Sequence, residues 1–186
     1  MSGIKRKLLL MLSVSMIMLS GCAGTLKDGA EALEAGDYEA AAEAFQAAVS
    51  EENADADDIS AAYQGLGMAD YELGNYAEAL DAFKNAVDNG AEQTVQLYNL
   101  MGVCAMQTED YASALEYIQA GLALADSSSG EDAADAGLIR EMEYNEIICL
   151  ERQADWEAAK EKITAYTEKY PDDENARKEA EFLQTR

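Results

Sequence analysis

The residue types that most often perform chemistry in proteins are scarce in this sequence. The chain has 186 residues and no histidine, so it lacks the commonest general base and the commonest transition-metal ligand. Its three cysteines are Cys22, Cys104 and Cys149. No serine or cysteine has a plausible activating base, and no glycine-rich loop could cradle a phosphate. We therefore expect no enzyme activity, no metal site and no cofactor.

Carboxylates are abundant, and their arrangement raises the possibility of calcium binding. The chain has 37 Asp and Glu residues against 13 Lys and Arg, a net charge of −24. The stretch "NADADD" at 53–58 has alternating carboxylates, but an EF-hand loop needs Gly at its sixth position and an acid at its twelfth. Those positions hold Asp58 and Gln64. We expect instead that Asp57 or Asp58 caps the next helix.

The acidic excess also constrains the partners of the protein. A chain of this charge repels nucleic acid and anionic lipid, and it attracts cationic segments. We therefore expect a protein or peptide partner with a cationic segment, and no nucleic acid.

One ten-residue pattern recurs four times and indicates the elements that carry these residues. The copies are "GDYEAAAEAF" at 36–45, "GNYAEALDAF" at 74–83, "EDYASALEYI" at 109–118 and "ADWEAAKEKI" at 154–163. Their aromatic residues Tyr38, Tyr76, Tyr111 and Trp156 are 38, 35 and 45 residues apart. A period of this length is typical of stacked helical hairpins, each of which buries its apolar face against its neighbours.

The repeats resemble the tetratricopeptide repeat family, whose pattern contains a bulky residue, Leu-Gly, a small turn, and then Ala and Phe. The copies span 22–55, 60–93, 95–128 and 140–173, and the second carries Tyr63, Leu66, Gly67, Tyr76, Ala79 and Phe83. The fourth departs from the pattern with Glu146-Ile147 in place of Leu-Gly. The resemblance implies an all-α, right-handed α-solenoid of about four repeats with a C-terminal capping helix at 174–186; an irregular helical bundle is the alternative.

The pattern places nine helices. Their predicted bounds are 25–35, 38–50, 58–73, 76–88, 92–108, 111–125, 132–153, 156–170 and 173–184. Gly67 and Gly102 are expected at close helix crossings, and Phe182 and Leu183 are expected to face inward.

Cys104 and Cys149 occupy equivalent positions of their repeats. Equivalent positions on neighbouring first helices lie about 8–10 Å apart, which exceeds the ~7 Å limit between Cα atoms for a disulfide. Buried free thiols are therefore predicted. A disulfide is the alternative, because the insertion at 126–135 could shift the register.

The N-terminus has the layout of a secretion signal. Lys5, Arg6 and Lys7 precede an apolar stretch at 8–19, which is too short for a permanent membrane span. The following "LSGC" resembles the lipobox of bacterial lipoproteins, which implies that residues 1–21 are removed and that Cys22 carries a diacylglyceryl group. The processed chain would carry a net charge of −27. A plain secretory signal, or an uncleaved helix with a chance cysteine, is the alternative.

The tetratricopeptide resemblance also implies a binding surface. Ligands of that family usually lie along the inner face formed by the first helices of the repeats. The matching residues here are Gln64, Met68, Tyr71, Glu72, Asn99, Val103, Met106, Gln107, Tyr144, Asn145, Ile148, Glu151 and Arg152. Met68, Val103 and Ile148 could instead pack beneath the second helices. The inner face has too few cations for a clamp on a carboxylate.

Together these features predict a membrane-tethered scaffold for protein partners at the bacterial cell envelope. It would be lipid-anchored in the cell membrane or outer membrane and would face away from the cytoplasm. An assembly-factor lipoprotein for pili, secretion or outer-membrane proteins is the alternative.

Overall fold

The computed structural model describes residues 23–51, 54–127 and 135–186, and within these ranges the chain forms helices and no strands. The helices are α1 (Ala23–Ala35), α2 (Tyr38–Val49), α3 (Ala56–Leu73), α4 (Tyr76–Asp88), α5 (Val95–Gln107), α6 (Tyr111–Ser127), α7 (Ala136–Arg152), α8 (Trp156–Lys169) and α9 (Glu174–Leu183). The predicted all-α class is confirmed. The signal segment at 1–21 and Cys22 lie outside the described residues.

The helices pack as four hairpins in a row, followed by a single helix. Each of the pairs α1–α2, α3–α4, α5–α6 and α7–α8 packs internally, and its second helix also packs against the first helix of the next pair. The final helix, α9, packs against α8. This arrangement confirms the predicted α-solenoid with a C-terminal helix.

The turn inside each hairpin contains one residue with a left-handed backbone. These residues are Gly36 (φ 76°), Gly74 (φ 82°), Glu109 (φ 62°) and Ala154 (φ 59°). Glycine adopts this conformation without a steric penalty, whereas a residue with a Cβ is strained there. The first two turns are therefore relaxed, and the last two hold a side chain in an unfavourable region.

Several helices begin at other residues than predicted, because the residue that caps each of them is not the one expected from the sequence. Asp55 caps α3 by accepting a hydrogen bond of 2.9 Å from the backbone N–H of Asp58. The prediction that Asp57 or Asp58 is the cap was wrong, since both lie in the first turn. Thr94 caps α5 and Asp135 caps α7, so these helices begin at 95 and 136 rather than at 92 and 132.

Two glycines lie where helices cross closely, as predicted. A Cβ atom added at Gly67 would lie 2.6 Å from ring carbons of Phe83, and one added at Gly102 would lie 2.8 Å from Cγ1 of Ile118. Phe83 and Ile118 are fully buried. The side chain of the second helix therefore fills the space that each glycine leaves empty.

The apolar core is divided into three clusters along the solenoid. Phe45 is the largest buried side chain of the first cluster, which joins α1, α2 and α3. The middle cluster runs from α3 to α7 and contains Phe83, Ile118 and Met142. The last cluster joins α7, α8 and α9. Each cluster joins helices that follow one another along the solenoid.

Cys104 and Cys149 are both fully buried and both free, so the prediction of unpaired thiols is confirmed. Burial raises the pKa of Cys104 to about 12 and the pKa of Cys149 to about 11. Both thiols therefore stay protonated and unreactive at neutral pH.

Of the two apolar side chains that we expected to face inward on the last helix, only one is buried. Leu183 is fully buried, but Phe182 is 43% exposed, so the expectation that both face inward was wrong for Phe182. The Arg186 guanidinium lies 4.7 Å from the Phe182 ring centroid and 5.5 Å from that of Trp156. In the described part of the chain no second helix follows α9 to cover this side.

Candidate protein-interaction surface

The predicted inner-face residues form one stripe on each of three first helices. Residues at i, i+4 and i+7 share one side of a helix. The stripes are Gln64, Met68 and Tyr71 on α3, Asn99, Val103 and Met106 on α5, and Tyr144, Ile148 and Glu151 on α7. All of these residues except Asn99 are partly exposed.

The α3 stripe ends in Tyr71, which packs at the border of the middle core cluster. Tyr71 packs edge-on against Tyr76, with ring centroids 5.7 Å apart at 77°. Burial, and then the nearby Cys104, Tyr76 and Glu141, raise the pKa of Tyr71 to about 12. Glu141 belongs to α7, so the Tyr71 hydroxyl lies within electrostatic range of that helix. The phenol stays protonated and can donate a hydrogen bond.

The α5 stripe contains a buried amide that lacks one hydrogen bond. Asn99 is only 6% exposed, and its Oδ1 is buried and accepts no hydrogen bond. An unsatisfied buried acceptor costs about 1–3 kcal/mol. On the same stripe, Met106 packs against the middle core cluster, as Met68 of α3 does.

The α7 stripe faces the end of the solenoid. The Tyr144 ring lies 5.4 Å from that of Tyr166 on α8. Glu151 has a buried Oε1 that accepts no hydrogen bond. Burial, and then the adjacent Glu179 carboxylate of α9, raise the pKa of Glu151 to about 7.

The remaining predicted residues lie at the edges of these stripes. Glu72 and Gln107 are exposed, and Asn145 is partly exposed. Arg152 is exposed near the first turn of α6, where its guanidinium lies 5.7 Å from the ring centroid of Tyr111.

The structure thus separates the predicted residues into two groups. Met68, Tyr71 and Met106 pack at the border of the middle core cluster. Tyr144 and Glu151 lie against the helices that end the solenoid. Partner binding by either group stays a prediction.

A polar network beside the second group could not be predicted from the repeats. Arg140 Nε donates to the Tyr166 hydroxyl at 3.1 Å, and its Nη2 lies 2.7 Å from Asp173 Oδ2. Asp173 also caps α9 by accepting from the N–H groups of Asn175 and Ala176. The backbone bond from Ala176, and then the Arg140 and Tyr166 side chains, lower the pKa of Asp173. The only sequence signal was the cap in "PDDEN".

Charge is distributed unevenly along the chain. Residues 23–127 contain 21 Asp and Glu residues and only two cations, Lys27 and Lys84, whereas residues 135–186 contain eight Lys and Arg residues. The first three repeats therefore carry most of the negative charge. Within the described ranges, no helix combines the length and the apolar character that crossing a membrane requires.

Comparisons with known proteins identify the repeat. The family model described as tetratricopeptide repeat matches residues 65–129. No curated protein matches the sequence. Among solved structures, the chain is similar to YrrB, a TPR protein with an unusual peptide-binding site, at 20% identity over 87% of this chain and 75% of that one, with a TM-score of 0.69. It is also similar to MamA 41-end from Desulfovibrio magneticus RS-1, at 15% identity over 91% and 86%, with a TM-score of 0.68. These similarities show a tetratricopeptide-type fold.

Proposed function

We propose that this protein is a membrane-tethered scaffold that binds a cationic protein segment on its inner face. The observation that carries the proposal is that the side chains of Met68, Tyr71 and Met106 are partly exposed at the border of the middle core cluster. Methionine and tyrosine adapt to different apolar surfaces and are frequent at binding hot spots. The peptide-binding site of YrrB, which shares the fold, supports a peptide ligand here.

The charge distribution favours a cationic segment with an apolar or aromatic anchor. The 21 carboxylates of residues 23–127 attract such a segment over a distance. Short-range contacts with Tyr71 and the methionines then hold it. The carboxylates affect the association rate of the segment, whereas Tyr71 and the methionines affect its dissociation rate. Measuring both rates therefore separates the two contributions.

The test uses a partner captured from an envelope extract and then purified. Higher salt should slow association, because the attraction is screened beyond about 8 Å at physiological ionic strength. Tyr71→Ala should speed dissociation and leave the salt dependence unchanged. Tyr117→Ala is the matched control, since Tyr117 is also a half-buried tyrosine at the edge of the middle core cluster but lies on a second helix. Equal dissociation rates for the two variants would exclude the inner face as the binding surface.

The tether rests on the sequence "LSGC" at 19–22. Two lipid chains hold a protein on a membrane stably, whereas one chain binds marginally. We infer that diacylglycerylation of Cys22 anchors the chain outside the cytoplasm. Cys22→Ala should release the protein from membranes or leave it unprocessed. A variant that fractionates and migrates like the wild-type protein would refute the anchor without affecting the proposed binding surface.

A further inference from the structure

Two arginines near the end of the solenoid lie over aromatic rings instead of pairing with carboxylates. Residues 135–186 contain eight Lys and Arg residues. Four of these form ion pairs, which are Arg140–Asp173, Lys160–Glu157, Lys162–Glu146 and Lys169–Glu143. Arg152 and Arg186 form no ion pair within the described ranges, and the guanidinium of each lies over an aromatic ring. For these two cations an aromatic ring therefore takes the place of a carboxylate.

Both arginines cover the aromatic residue that begins a second helix. The Arg152 guanidinium, at the end of α7, lies 5.7 Å from the ring centroid of Tyr111, the first residue of α6. The Arg186 guanidinium follows α9 and lies 5.5 Å from the ring centroid of Trp156, the first residue of α8. Tyr111 and Trp156 occupy equivalent positions of their repeats. The same contact therefore recurs where one unit of the solenoid meets the next.

The contact of Arg186 differs from that of Arg152 because it involves a second, exposed ring. The Arg186 guanidinium also lies 4.7 Å from the ring centroid of Phe182. Among the residues that the structure describes, Phe182 is the only large apolar side chain that is exposed. Arg186 itself is exposed, and an exposed cation–π contact favours the bound arrangement only about two- to fivefold. Arg186 therefore leaves the two rings free in a substantial fraction of the molecules.

The surface of α8 beside Trp156 is acidic. A shallow groove on this helix is lined by the carboxylates of Asp155, Glu157 and Glu161 and by one ammonium group, from Lys160. Lys160 Nζ lies 3.7 Å from Glu157 Oε1, so the other two carboxylates have no ion-pair partner in the described ranges. A segment with an arginine over the two rings would therefore meet complementary charge at its flanking cationic residues.

We propose that Trp156 and Phe182 form a docking site for an arginine side chain of a protein partner, and that Arg186 occupies this site when no partner is bound. The site selects arginine over lysine, because a guanidinium is planar, is weakly hydrated and stacks on aromatic rings. Asp155 and Glu161 attract the cationic residues that flank this arginine. The site includes no residue of the inner face and does not depend on the function proposed above.

The test compares two peptides of equal charge, N-acetylated and C-amidated (Gly-Arg)4 and (Gly-Lys)4, at physiological ionic strength. The full chain contains one tryptophan, Trp156, and the peptides contain none, so tryptophan fluorescence reports on the site directly. The arginine peptide should change the fluorescence saturably and bind about three- to tenfold more tightly than the lysine peptide. Equal affinities, or no change in fluorescence, would overturn the proposal.

A first variant tests whether Arg186 competes with the partner. Arg186→Ala removes the occupant that the chain itself supplies, so it should tighten binding of the arginine peptide by about two- to sixfold. Arg177→Ala is the matched control, because it removes the same charge from an exposed arginine of α9 that forms no ion pair in the described ranges. An equal gain for both variants would show an effect of net charge alone and refute the competition.

A second variant tests the exposed ring. Phe182→Leu keeps an apolar side chain but removes the ring, and the exposure of Phe182 makes a loss of folding unlikely to follow from it. This variant should remove most of the preference for the arginine peptide over the lysine peptide, and an unchanged preference would refute the site. Tyr71→Ala should leave both affinities unchanged, so failure of this site and failure of the inner-face proposal are distinguishable.

Discussion

The close contact between Gly67 and Phe83 predicts that a larger residue at position 67 destabilises the protein. Valine at position 67 adds a branched side chain where a single Cβ would already lie 2.6 Å from two carbons of the Phe83 ring. Because Phe83 is buried and its ring is not the tip of a flexible chain, the helices must move apart. Overpacking of this kind costs about 1–3 kcal/mol, and the better helix propensity of valine offsets only ~0.3 kcal/mol.

The expected change is large enough for a thermal melt. In a domain of this size, 1 kcal/mol shifts Tm by about 2–4 °C, so Gly67→Val should lower Tm by roughly 2–12 °C. Far-UV circular dichroism of the purified chain measures this shift. Gly24→Val is the matched control, because a Cβ at Gly24 would meet no atom within 4 Å. Its Tm should change by less than about 2 °C.

A second substitution tests the assigned contact itself. Phe83→Leu shortens the side chain that faces Gly67, so it should cost less in the Gly67→Val background than in the wild-type chain. Additive effects, or equal melting temperatures for Gly67→Val and Gly24→Val, would refute the packing explanation.

Three further predictions concern the second half of the chain. Ala154→Gly should raise stability by about 1 kcal/mol in urea titrations, because it relieves a left-handed turn. The pKa of Glu151 is about 7 in the folded state, against the ordinary value of 4.5. The free energy of unfolding should therefore fall as the pH rises from 4.5 to about 7. Glu151→Gln should reduce this fall, whereas the exposed Glu181→Gln should not. Asp173→Ala should cost about 1–2 kcal/mol by removing a helix cap, measured as faster hydrogen exchange in α9.

The repeat itself was predictable because its signal is local and recurs. The positions of Gly67 and Gly102 in the tetratricopeptide pattern placed both glycines at helix crossings. The structure confirms both. The helix bounds were harder to predict, because they depend on which of several nearby acidic side chains caps the helix. Asp55 caps α3, whereas Asp57 and Asp58 lie in its first turn.

The interaction surfaces were less predictable, because they depend on how separate helices are rotated against each other. The sequence showed Glu146 as a departure from the pattern but did not show that Lys162 of the next helix pairs with it. In the same way, α9 determines the surroundings of Glu151, and the sequence placed that residue only by its position in the repeat. The prediction that Phe182 faces inward was wrong, because the periodicity of one short helix does not show which of its sides packs against another helix.

The division of the core into three clusters has a consequence for cooperativity. In a linear array each unit is held only by its neighbours, so all-or-none unfolding can break down at a weak boundary. The only tryptophan, Trp156, lies in the last cluster, so its fluorescence reports on that unit alone. Lys162 and Lys169 have side chains that are 48% and 55% exposed, so salt screens their ion pairs. In urea, added salt should shift the fluorescence midpoint below the circular dichroism midpoint; coincident midpoints at every salt concentration would show that the solenoid unfolds as one unit.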